Sequence, residues 1–451
     1  MSRWESGRLA VSHATLDAYE RVLELPAGSL TACVDVIRRY WSPQVAAPTS
    51  AYRREGADAV LDDLLDRIAV DGPLTATEWD LLTERIVRVP GLYLRQRDWT
   101  SLADRLLREL LVADRGLYLR RREAFHRLLA HPQAQAAAIG AAVSAGADTT
   151  GQGIIEAVSM LDGSAHPDAA AAVVRQLDHP TTSSAQIGAL QAAVRKVRFG
   201  HFSPAQLARV SEMAGEMIRS GRDDDELVAL ADELKVGQMP ASSGSSRPGV
   251  LLGRLVLGIT GAAGLPESLD DQVLPLLIEE LMFSPSADAR LLASSLVAAS
   301  PFRPTAARAV AAELTSARVL IDQADWAEKL LDTLRLIGGQ DQVELVQRVA
   351  TADGIPSSVN RAAAITIGHV GGKIDRSFWS RGFGKYVVRW RRHHRPADAQ
   401  QLDALVYSAG VLGERSILTT LRADPTLPAK ARTAAAWWIN LPTHVADGAR
   451  T

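Results

Sequence analysis

Apolar residues recur along this chain at intervals of three and four, and the two-residue alternation of strands is hard to find. In residues 58–70, DAVLDDLLDRIAV, one stripe holds Val60, Leu61, Leu64, Leu65 and Ile68, and ARLLASSLVAAS at 289–300 follows the same rule. Ala, Leu, Arg and Glu fill such segments, and all four favour helix. Gly and Pro fall between them in short clusters, which predicts short helices joined tightly. One interruption is longer. GQMPASSGSSRPG, at 237–249, has the composition of a flexible linker or loop. The expected fold class is all-α.

A unit recurs within this pattern. A Pro is followed about five positions later by Arg or a small polar residue, then by an Ala-rich apolar turn ending in Gly or Ser. It starts at Pro285, Pro356 and Pro428 in two nearly equal steps, with degenerate copies between them at WAEKLLDTLRLIGG and QLDALVYSAGVLGE. The underlying period is roughly 36 residues, the length of a helical hairpin. Weaker echoes begin at His131, His166 and His179. Each Pro suits a helix start, where its missing N–H leaves no bond unmade. Arg290, Arg361 and Arg432 fall at equivalent positions, and each is expected to bridge to a neighbouring hairpin. These units resemble HEAT-like repeats. The resemblance implies an α-solenoid that offers an extended surface to a protein partner.

The first thirty residues carry a different signal. SRWESGRLAVSHATLDAYERVLELPAGSL resembles the back half of the XRE-family (Cro/repressor-like) helix-turn-helix domain: Ser2, Arg3, Trp4, Glu5, Gly7 and Arg8 match its first part. Ser12, Leu16, Tyr19, Leu23, Leu25 and Pro26 match the second, while Ala10-Val11 and Glu20 depart from the pattern. In that role Gly7 would end one helix, Ser12 would cap the next, and Leu16, Tyr19 and Leu23 would face a core with Trp4. The resemblance further implies DNA as a ligand, with Ser2, Arg3 and Arg8 at the phosphate boundary, and a homodimer spanning two half-sites. It also implies that the base-reading part of the recognition helix precedes Ser2, so the native product is expected to begin about thirty codons upstream.

Composition narrows the alternatives. The chain has 451 residues and a net charge of −2, so any nucleic-acid contact must be local. Its single cysteine, Cys33, excludes a disulfide framework and Cys-rich zinc modules, and a cytoplasmic location with no membrane span is expected. The most basic stretch is RSFWSRGFGKYVVRWRRHHRPA, 376–397. On a helix it places Phe383, Tyr386, Val387 and Trp390 on one side and Lys385, Arg389 and Arg392 on the other. With Arg391 and Arg395 these form a possible basic surface, set against the simpler reading of a solvated solenoid face. YLRRREAFHRLL, 118–129, reads as a solvated face, with Arg120, Arg121, Arg122 and Arg127 in water.

No His pair has metal-ligand spacing, and GHVGGKI lacks the hydroxyl residue and strand of a phosphate loop. No cofactor, metal or catalytic constellation is therefore expected, and the chain does not read as an enzyme. The expected organisation is a helix-turn-helix remnant (1–40), a first helical region (41–236), the linker (237–249), HEAT-like repeats (250–441) and a tail (442–451). Two functions fit: a DNA-binding regulator whose repeats sense, dimerise or dock a partner, and a docking scaffold with no DNA role.

Overall fold

A computed structural model describes residues 11–25, 29–41, 57–88, 92–236, 249–262, 273–372 and 374–450. Ser2, Arg3, Trp4, Gly7, Arg8 and residues 237–248 of the expected linker lie outside the described residues. Among the described residues there are helices and no strands, an all-α, solenoid-like arrangement. The chain divides into two compact units. Unit 1 comprises 1–149, 153–241 and 442–451, and unit 2 comprises 242–441 with 150–152.

Unit 1 begins with α1 (His13–Val22) and α2 (Ser29–Trp41). Ser12 caps α1 by accepting from the Thr15 N–H at 3.2 Å, as its place in the sequence predicts. There follow α3 (Ala57–Ala69), α4 (Ala76–Arg88), α5 (Gln96–Val112), α6 (Arg115–Ala130), α7 (Gln135–Ala147) and α8 (Ile154–Ser159). A 3-10 turn, Met160–Gly163, leads into α9 (Pro167–Asp178), α10 (Ser183–Arg198), α11 (Pro204–Arg219) and α12 (Asp225–Leu234). Pro167 and Pro204 sit in the first turns of α9 and α11, and Thr182, Ser203 and Asp224 cap α10, α11 and α12. The core runs from Leu64, Trp79, Leu82, Trp99 and Leu106 through Phe125 and Leu128 to Val173, Leu190, Val210 and Leu227. The expected stripes are narrower in the fold. Val60 is 41% exposed while Leu61, Leu64 and Ile68 are buried, and Leu23, at the C-cap of α1, is 53% exposed because the helix ends before it can turn inward.

Unit 2 is built from α13 (Gly249–Ala262), α14 (Val273–Phe283), α15 (Ala287–Ala299), α16 (Arg303–Glu313), α17 (Ala317–Asp322) and α18 (Ala324–Ile337). It continues with α19 (Val343–Thr351), α20 (Ser357–Ile367), α21 (Arg376–His393), α22 (Pro396–Val411), α23 (Arg415–Ala423) and α24 (Ala429–Asn440). The last helix, α25 (Thr443–Gly448), packs on α5 within unit 1. Pro356 and Pro428 stand at the N-caps of α20 and α24, and Pro285 directly precedes the capping Ser286 of α15.

The repeat period is written in the hydrogen bonds between helices. In unit 1, Thr181 donates to the Gly146 carbonyl and Arg198 to Glu233, each pair 35 residues apart. In unit 2, Arg303 donates to the Ile337 carbonyl across 34 residues, Thr366 to Leu331 across 35, and Tyr386 to Ala350 across 36. These polar ties join helices about one hairpin apart, and those from Thr181, Arg303 and Tyr386 satisfy carbonyls near the end of another helix.

The three arginines at equivalent places in the sequence pattern stand differently in the fold, and Arg432 is half-buried on α24. Arg290 reaches back to the Ser284 carbonyl of its own turn at 2.5 Å, and Arg361 is exposed. Arg303, at the start of α16, makes an inter-hairpin bond instead, because a helix start lies beside the exposed carbonyls that end α18. Where helices touch most closely, side chains are absent. A Cβ on Gly188 would sit 2.5 Å from the Ile155 carbonyl oxygen, and one on Gly410 would overlap the Trp438 ring.

Candidate functional site

The N-terminal hairpin is fastened to unit 1 by charge. Glu20, buried near the end of α1, accepts from the Leu30 and Thr31 N–H groups at 2.7 and 3.1 Å and so satisfies the first turn of α2. This explains a residue that departs from the helix-turn-helix pattern. Cys33 is buried on α2, and burial, followed by the nearby Glu20 carboxylate, raises its thiol to about 11, so it packs as a small apolar group. From the outer end of α2, Arg39 forms a forked ion pair with Glu123 of α6, its Nε donating at 2.9 Å. The Arg198 guanidinium of α10 lies over the next ring, Tyr40, at 4.5 Å from its centre.

Below this seam lies a network that sequence reasoning placed in water. Arg120, Arg121, Arg122 and Arg127 of α6 are all buried, because α6 is a central helix packed against α2, α4, α5 and α7. Each finds a partner far away in the chain. Arg127 pairs with Asp80 and donates to Thr83 at 3.2 Å, and Arg120 donates to Thr77 at 2.6 Å. Arg121 donates to Glu109 at 3.3 Å and also to the Gly448 carbonyl of α25. Glu109, itself wholly buried, accepts in addition from the Trp79 indole at 2.7 Å and from Arg105 at 3.1 Å.

Asp162, in the 3-10 turn, is the second hub. It accepts from Arg195 at 2.8 Å and from His126 at 3.0 Å, with Arg122 at 3.5 Å. Burial alone would raise its carboxyl, but Arg195, His126 and Arg122 hold it well below the usual range. Burial, then the positive Arg39, pushes the His126 imidazole down to about 3. His126 is therefore neutral, and its Nε2–H donates to Asp162. Lys196 is fully buried, donates to the Ser164 carbonyl at 2.6 Å, and is lowered by burial to about 8. Burial, with Arg195, Arg127 and Arg122, lowers Arg39 to about 9. The network carries crowded positive charge, and Asp162 and Glu109 each hold more than one cation.

The basic stretch of unit 2 is the helix α21, as the spacing predicts. Phe383 and Tyr386 are buried, and Val387 and Trp390 are half-buried. The five residues of the expected basic surface divide into two groups. Lys385 lies 2.6 Å from Asp353, Arg389 lies 2.9 Å from Asp398, and Arg391 lies 2.6 Å from Asp424. Lys385 also donates to the Thr351 carbonyl and Arg391 to Thr426, so these cations tie α21 to the hairpin turns on either side. Arg392 and Arg395 are exposed at the corner between α21 and α22.

Unit 2 also has a shallow hollow of about 560 Å³ between α13, α16 and α17, where Arg254 pairs with Glu313 across its mouth. It brings together no nucleophile and base. Among the described residues, no group of three His, Cys, Asp or Glu stands close enough to hold a metal ion, and no helix is long and apolar enough to cross a membrane. Nothing in the sequence pointed to the Asp162 and Glu109 hubs, since their arginine partners from α6 lie 40 and 12 residues away. No protein-family profile, curated protein or solved structure matches the chain.

Proposed function

We propose that this chain is a DNA-binding regulator in which the N-terminal segment meets the DNA backbone and the helical repeats dock a protein partner. The observation that carries the reading is the fastening of α2 to α6 through Arg39 and Glu123. It makes the hairpin of α1, which carries the second part of the helix-turn-helix resemblance, and α2 a packed part of unit 1. The Ser12 cap supports the same reading, because Ser12 is the residue to which the resemblance gives the capping role.

Arg3 and Arg8 are assigned to phosphates, which give weak binding without sequence preference. The test is fluorescence anisotropy on labelled duplex DNA at near-physiological salt, comparing the wild type with the Arg3→Ala/Arg8→Ala pair. Binding by the wild type that the pair loses supports the reading. Absence of any DNA binding leaves the repeats as a docking scaffold and removes the regulator.

A further inference from the structure

The corner between α21 and α22 carries two arginines, Arg392 and Arg395, that the fold leaves without an ion pair. RRHHR, 391–395, is a run of basic residues without an acid, and every one of them is exposed. Acids within reach of α21 are already taken: Asp353 by Lys385, Asp398 by Arg389 and Asp424 by Arg391. Among the described residues, Arg392 and Arg395 are left with no ion pair, and so is Arg422, which is exposed two residues before Asp424 on the adjoining turn.

The turn that carries these cations is held by local contacts. His394 closes α21 in the left-handed conformation, φ 47°, with its N–H donating to the Trp390 carbonyl at 2.8 Å and its ring edge-on to the Trp390 indole at 4.8 Å. Trp390 is in turn pinned to the next hairpin by its indole N–H, which donates to the Thr426 carbonyl at 3.0 Å. Pro396 then starts α22 at once. A loose basic loop would lose entropy on binding, whereas this one is already held in place.

We propose that this corner is a docking site for a short acidic peptide segment of a protein partner. Its size and surroundings favour that ligand over a nucleic acid. Duplex affinity is built from many neutralised phosphates, and here Lys385, Arg389 and Arg391 are occupied by Asp353, Asp398 and Asp424, which leaves Arg392 and Arg395 side by side at the corner. Two such cations match a segment of a few Asp and Glu residues. The inference rests on the docking half of the function proposed above and is independent of DNA contact by Arg3 and Arg8.

The probe is a fluorescein-labelled peptide of eight alternating Asp and Glu residues, titrated with the full chain in 50 mM salt. The Arg392→Glu/Arg395→Glu variant is expected to lose at least tenfold in affinity. The Arg376→Glu/Arg381→Glu variant, with the same change of charge at exposed sites toward the other end of α21, is expected to bind as the wild type does. Equal losses in both variants would mean general charge attraction and overturn the site, as would no binding by the wild type. Tighter binding of an oligonucleotide of equal charge, lost through the same two residues, would reassign the corner to nucleic acid and overturn the peptide. If the Glu variant is misfolded by circular dichroism, Arg392→Gln/Arg395→Gln takes its place.

Discussion

Arg39 on α2 and Glu123 on α6, 84 residues apart in sequence, meet in a forked ion pair that is nearly closed to solvent. Arg39 has Arg195, Arg127 and Arg122 as electrostatic neighbours, against which stand Asp162 and its direct partner Glu123. Breaking a buried pair from one side leaves the other charge uncompensated, at a cost of about 3–5 kcal/mol. Glu123→Gln is therefore expected to lower the urea midpoint of unit 1 and to raise hydrogen exchange in α1 and α2 first. The double change Arg39→Met/Glu123→Leu, which removes both charges, is expected to recover much of that loss. Equal instability in the single and double variants would show that the pair is not what fastens the hairpin.

The Asp162 hub gives unit 1 a pH dependence with a definite sign. His126 is held down to about 3, whereas an unfolded chain takes up its proton near pH 6.5. Between those values the unfolded state binds the proton that the fold refuses, so stability is full above pH 6.5 and falls as the pH drops. At pH 5 the loss is about 2 kcal/mol for this group alone. Asp162 acts in the same direction lower down, since its depressed carboxyl contributes stability that is lost as the pH falls through its folded value. Urea midpoints at pH 7 and pH 5 measure the effect. His126→Gln, which keeps a donor toward Asp162 but does not titrate, is expected to flatten the slope between them.

In unit 2 the close approach of α22 and α24 depends on a missing side chain. A Cβ at position 410 would overlap the Trp438 ring, so Gly410→Ala forces the indole, α22 or α24 to move. Overpacking of that kind costs about 1–3 kcal/mol. Thermal denaturation of Gly410→Ala, followed through tryptophan fluorescence, is expected to show an earlier transition. An unchanged midpoint would mean that the α22–α24 contact is softer than described.

How much of this was legible beforehand follows from what each residue interacts with. Helices, their Pro starts, the Ser12 cap and a period near 36 residues depend on neighbours in sequence, so apolar spacing and capping chemistry display them. The apolar side of α21 was legible for the same reason. The arginines of α6 were not. Arg121 and Arg127 look like solvated charges in a local window, and only Glu109, Asp80 and the packing around α6 turn them into core residues. Likewise Lys385, Arg389 and Arg391 read as parts of one basic surface in sequence, but Asp353, Asp398 and Asp424 arrive from three other turns or helices. Glu20 shows the converse: it breaks a family-like pattern in sequence, and the reason, the cap on α2, lies in the fold.

The regulator reading stands or falls on DNA contact by the N-terminal segment, and the salt dependence of that contact is the most direct measurement. Each phosphate neutralised contributes about 0.9 to the slope of log affinity against log salt. Titrating the full chain onto duplex DNA between 50 and 200 mM salt, roughly the range over which such binding weakens, is expected to give weak, salt-sensitive binding. Arg3→Ala/Arg8→Ala is expected to reduce the slope by about 2. A slope that is unchanged in that variant, or a wild-type chain that does not bind duplex at all, would contradict the account.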